Sequence, residues 1–111
     1  MKNELSKRSL QLLKPFLNSF DFGWEIELII SLHQDRGRAW NAPELSQQLK
    51  IDQTAVVLSL SKLAERGLIV VEGERYLYSP NTSEKHALVE LMIRAFAQRK
   101  LEVIRTIYES E

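Results

Sequence analysis

Residues 41–67, NAPELSQQLKIDQTAVVLSLSKLAERG, hold two helix starts and one helix stop with little chain between them. Asn41 can cap a helix, Pro43 suits a first turn where its missing N–H is not needed, and Glu44 can reach back as in a capping box. Asp52 offers a second cap. Gly67 offers the stop, because glycine readily takes the left-handed conformation that ends helices. The first helix is therefore short, with Leu45 and Leu49 facing one way, and Lys50-Ile51 makes a tight turn. The second runs from about Gln53 to Arg66.

The flanking signals extend this pair in both directions. Residues 3–18 carry a helical stripe of Leu5, Leu12, Leu13, Phe16 and Leu17, interrupted by Pro15. Because proline disfavours the helical conformation just before it, that helix is expected to end near Lys14. Asp21 can cap a helix from about Phe22 to His33, whose buried face is Trp24, Leu28, Ile29 and Leu32, widened by Ile26 and Ile30. Arg36-Gly37-Arg38 reads as a turn and Ala39-Trp40 as a tiny strand at most. Leu68–Val71 and Arg75–Tyr78 are β-prone around Glu72-Gly73-Glu74, which predicts a hairpin covering the core with Leu68, Val70 and Leu77.

Pro80 breaks the second strand, and Asn81-Thr82-Ser83-Glu84 caps what reads as one long helix to about Glu109. Its apolar positions are Leu88, Leu91, Met92, Ala95, Phe96, Val103, Ile104 and Ile107, diluted only at Gln98-Arg99-Lys100. Such a helix would be on the order of 40 Å long, more than one small domain covers. Its far end should pack on the chain's own N-terminal helix, through Leu5, Leu12, Leu13 and Phe16, or on the same helices of a second copy. Added burial favours the homodimer in a domain this small. The chain thus divides into an N-terminal helix (1–20), a central domain (21–80) and a long C-terminal helix (81–111).

Composition narrows the chemistry. With 44% hydrophobic residues in 111, there is material for one modest core. The absence of cysteine excludes disulfides, thiolate metal sites and a cysteine nucleophile. The longest apolar runs, Ala55–Leu58 and Leu68–Val71, are too short to cross a bilayer, and Met1–Arg8 lacks the apolar core of a signal peptide. A cytoplasmic protein with no membrane partner is expected. His33 and His86 are half the chain apart, and Glu90, one helical turn after His86, gives only two ligands where a metal site needs more. Leu58-Ser59-Leu60-Ser61 lacks the glycines of a nucleophile elbow, and four scattered glycines make no phosphate loop. No enzyme, metal or cofactor is expected.

The run Leu45, Leu49, Ile51, Ala55, Val56, Leu60, Leu63, Gly67, Leu68, Ile69 resembles a winged helix-turn-helix domain of the MarR-like and related bacterial transcriptional regulators, over residues 24–79. The resemblance implies a mainly α fold with a small β-hairpin, here with an added N-terminal helix and a long C-terminal one. It also implies that the helix after Asp52 lies in the DNA major groove, and that the terminal helices build a dimer presenting two reading heads to a palindromic site.

Stepping about 100° per residue from Leu60 places Gln53, Val56, Leu63 and Ala64 on the buried side of that helix, with Val57 at its edge. Thr54, Leu58, Ser61, Lys62 and Glu65 fall opposite. On duplex DNA, Gln53, Thr54, Ser61 and Lys62 would meet base edges or phosphates, and Leu58 and Ala55 would meet thymine methyls. Lys50, Arg66 and Arg75 of the wing would hold phosphates. Regulators of the resembling family often place basic or polar side chains around positions 57 and 58, where this chain has Val57 and Leu58. Charge points the other way from DNA: residues 41–79 carry four bases against five acids, and only residues 1–20, with four bases against one, are basic. The alternative is an adaptor, a winged-helix protein-interaction module that docks another protein through the Leu58 face or the terminal helices.

Overall fold

The computed structural model describes residues 7–108, and the side chains of all of these but 7–10 and 106. The protein is mainly helical with one small antiparallel sheet: α1 Lys7–Asn18, α2 Trp24–Gln34, β1 Trp40–Asn41, α3 Ala42–Leu49, α4 Gln53–Glu65, β2 Ile69–Glu72, β3 Arg75–Tyr78, α5 Ser83–Gln98 and α6 Lys100–Tyr108. Contacts divide it into two units, residues 27–86 and residues 1–26 with 87–111. Among the described residues no helix is long and apolar enough to cross a membrane.

In the unit of residues 27–86, local chemistry fixes the helix ends as expected. The Asn41 side chain accepts the Glu44 backbone N–H at 2.9 Å, and the Glu44 carboxylate accepts the Asn41 N–H at 3.0 Å, a complete capping box. Lys50 ends α3 in the left-handed conformation (φ 59°), and Asp52 then accepts the backbone N–H groups of Thr54 and Ala55 at the start of α4. At the other end of α4, Leu68 N–H donates to the Leu63 carbonyl and Gly67 N–H to that of Ala64, the paired bonds of a Schellman motif, with Gly67 at φ +77°. The Lys85 ammonium covers the last turn further by donating to the Arg66 carbonyl at 2.7 Å.

The sheet order is β1-β3-β2. Glu72 pairs with Arg75, so the hairpin closes over two residues, Gly73-Glu74, with Gly73 at φ +65°. Trp40 and Asn41 pair with Tyr76 and Arg75 to give the third strand, so the tiny strand at Trp40 is real and lies beside the far hairpin strand. Leu28, Ile29, Leu32, Leu45, Val56, Leu60, Leu63, Leu68 and Ile69 are buried.

Two side-chain placements differ from expectation here. Val70 is 38% exposed rather than covering the core; Leu68, Ile69 and Tyr78 are the buried residues around the hairpin, because β2 turns its inner face to the core only at its first residue. Gln53 is exposed rather than part of the buried stripe, since it stands in the first turn, ahead of Val56, where that stripe begins, whereas Ser59 is buried.

In the second unit, α1 does not end at Lys14. It runs through Pro15 to Asn18. Proline removes one intrahelical donor, but Pro15 is exposed, so water can serve the carbonyl it abandons, while Leu13, Leu17 and Phe20 are buried around it. Nor is the C-terminal region one long helix. It breaks at Arg99, and α6 starts afresh with Arg99 donating to Glu102 at 3.2 Å. The break turns the far end into a separate short helix that packs against α1 of the same chain. Gly23 N–H donates to the Tyr108 hydroxyl at 2.9 Å, and the Glu25 carboxylate, itself buried, accepts the N–H groups of Asp21 and Phe22.

Candidate nucleic-acid interface

Helix α4 is held by caps at both ends and by Val56, Leu60 and Leu63 on its buried side. The opposite side is therefore presented in a fixed orientation within its unit. Thr54, Leu58, Ser61, Lys62 and Glu65 are all exposed there, Leu58 at 62%, and Gln53 is exposed in the first turn. Lys50, in its left-handed turn conformation, is exposed just ahead of the helix. Arg66 is half-buried. The face thus carries amide, hydroxyl and ammonium groups around one protruding apolar side chain.

Arg75 is differently engaged. Its guanidinium donates to the Ala39 carbonyl at 2.9 Å and lies 3.6 Å from the Glu44 carboxylate. Arg38 reaches the other oxygen of Glu44 at 3.3 Å while its guanidinium lies over the Trp40 ring at 3.7 Å. The Asn41 N–H bond, and after it the Arg38 and Arg75 charges, hold the Glu44 carboxyl below the ordinary glutamate value. A carboxyl lowered in the folded state stabilises above its unfolded pKa, and that contribution is lost as pH falls through the folded value. Acidification below about pH 4 should therefore loosen the first turn of α3 together with β3. Glu44→Gln should flatten that acid limb, observed as amide shifts of residues 41–45 and 75–77 followed by NMR against pH.

Apart from the capping signal, nothing local marks the Arg38–Glu44–Arg75 group, since the hairpin register decides which arginine arrives. A second cluster was equally hidden. His33 and His86, half the chain apart in sequence, stack with ring centroids 6.1 Å apart; both rings pack near Tyr78, whose hydroxyl lies 2.8 Å from His86 Nδ1, and Arg36 is 2.9 Å from His33 Nε2. These are half-buried packing contacts at the end of α2, in β3 and at the start of α5. Among the described residues no group of three or more acidic or histidine side chains is placed to hold a metal ion.

The positions singled out for dimerisation divide by burial. Leu13, Met92, Ala95, Val103 and Ile107 are buried and Phe16, Leu88, Leu91, Phe96 and Ile104 half-buried, all within one chain, while Leu5 lies outside the described residues. Among the described residues of that set only Leu12, at 65%, stays largely exposed, joined in exposure by Phe22, Leu101 and Tyr108. Residues 27–86 carry seven bases and eight acids, so no excess of positive charge accompanies the α4 face.

No family model, curated protein or solved structure matches the chain.

Proposed function

We propose that α2, β1, α3, α4 and the β2–β3 hairpin form a winged helix-turn-helix, and that the protein is a non-catalytic regulator binding duplex DNA as a homodimer. The observation that carries this reading is the face of α4: a helix anchored at both ends, with Thr54, Ser61 and Lys62 exposed along the side away from the core and Gln53 exposed in the first turn. A helix offering polar groups from a rigid base is what insertion into a major groove needs. Lys50, Lys62 and Arg66 supply the phosphate contacts, with Arg75 positioning the hairpin instead.

Three phosphate contacts per protomer, six in the dimer, give a slope of about −5 in log affinity against log salt. Fluorescence anisotropy of the full chain with a labelled random duplex pool, from low to physiological salt, measures it. Lys62→Ala, which removes one contact from each protomer, should reduce the slope by about 2. Absence of binding at the lowest salt would overturn the reading.

That outcome would leave the adaptor, which one observation favours: Leu58 protrudes from the same face of a unit with no positive excess. In that case Leu58 is the anchor for a protein partner, and Leu58→Glu should abolish its capture.

A further inference from the structure

We propose that two copies of the chain pair edge to edge through β2, antiparallel about a two-fold axis at Val70, so that their sheets continue as one. The pairing is independent of DNA binding. β2 is an outer strand of the sheet. Ser79 N–H donates to the Leu68 carbonyl, so in this antiparallel register Val70 and Glu72 also turn their backbone groups to β3. Ile69 and Val71 therefore turn their N–H and carbonyl groups the other way, along the open edge. Val70 and Val71, 38% and 49% exposed, make that edge apolar. The run Ile69–Glu72 holds neither the lysine nor the proline that commonly blunts an edge strand.

What the edge fits is another copy of itself. With Val70 opposite Val70 of a second copy, Ile69 of each strand meets Val71 of the other, and both pairs exchange their backbone hydrogen bonds. A register shifted by two residues keeps only one such pair within the strands. The valines at the axis form a non-hydrogen-bonded pair, the kind in which side chains approach most closely. Charge decides the direction. The edge ends at the exposed acids Glu72 and Glu74, and it begins beside the half-buried bases Arg66 and Lys85, the Lys85 ammonium lying 2.7 Å from the Arg66 carbonyl. Antiparallel pairing sets the acidic end of each copy against the basic start of the other, Glu74 towards Arg66 on both sides of the axis. Parallel pairing would set acid beside acid and base beside base. A strand from elsewhere could take up the backbone groups, but this one carries the matching charges at the matching ends.

The test follows amide exchange of the full chain by NMR, from dilute solution up to about 1 mM, a range in which even weak pairing becomes populated. The Ile69 and Val71 amides should exchange more slowly as concentration rises. Val71→Pro removes one outward donor at an edge position that tolerates proline. It should raise the concentration needed for pairing about ten-fold, the effect of losing one backbone hydrogen bond on each side of the axis. If its urea midpoint shows it unfolded, Val70→Lys, which sets two ammonium groups face to face at the axis, takes its place. Glu74→Lys and Arg66→Glu should each pair poorly alone and pair well when mixed, because the mixed pair regains opposite charges at both ends. Exchange at Ile69 and Val71 that is the same at every concentration overturns the inference, and so does a mixture no better paired than its components. Protection that appears only on adding duplex DNA gives the edge to that ligand instead and overturns it as well.

Discussion

Leu60→Ala should destabilise the protein by about 2–5 kcal/mol, the range for removing a fully buried leucine and leaving a partly collapsed cavity. Leu60 is 0% exposed and lies on α4 between Val56 and Leu63, both equally enclosed, so little can move in to fill the space. A chain of this length has a total stability of roughly 5–15 kcal/mol, which makes the loss a large share of the whole. The comparison that gives this result its meaning is Leu58→Ala, which should change stability by no more than about 0.5 kcal/mol because the side chain is exposed. The two leucines share a helix and nearly a turn, and differ only in the direction they point. Urea unfolding followed by circular dichroism separates them. Equal losses would mean that Leu58 is covered in solution, and with that its availability to any partner would fall.

Gly67→Ala should cost about 1–3 kcal/mol, the penalty for a side chain in the left-handed region. Gly67 stands at φ +77°, and its N–H and carbonyl both serve the structure: one closes α4 onto Ala64, the other accepts the Asn81 N–H at 2.8 Å. An added Cβ would also come within 2.3 Å of the Asn81 amide nitrogen. Asn81 is exposed and its side chain can turn away, so the backbone carries most of the cost. The same substitution in an Asn81→Ala background should therefore lose nearly as much stability, within about 0.5 kcal/mol. Full rescue by Asn81→Ala would show that crowding, not conformation, governs the position.

The features legible in the sequence are those whose physics is local. Asn41 with Glu44, Asp52 with the amides of Thr54 and Ala55, and Gly67 at the end of α4 each act within a few residues, and each forms as the sequence indicates. Where expectation and structure part, the deciding quantity is not local. Proline penalties depend on exposure, and Pro15 is exposed, so α1 continues past it. The break at Arg99 contains neither proline nor glycine; the polar run Gln98-Arg99-Lys100 was its only trace. Around the candidate site, helical spacing identified the outward row of α4, including Leu58, because burial on one side settles orientation on the other. It could not show that Arg75 is drawn to Glu44 and Ala39, since that depends on which residues the strand register brings alongside β1.

Glu44 has a mechanical consequence. One carboxylate joins the chain after α2, the first turn of α3 and the turn end of β3, so none of the three can open alone without giving up contacts of the others. Local fluctuations in such a group are cooperative, and openings that would be frequent in isolation become rare. Beyond Arg75 only the Gly73-Glu74 turn is without such a tether. The hairpin is therefore pinned close to its tip: β3 keeps the position that α3 dictates from its first residue, and only the two-residue Gly73-Glu74 turn is left to adjust to a bound surface.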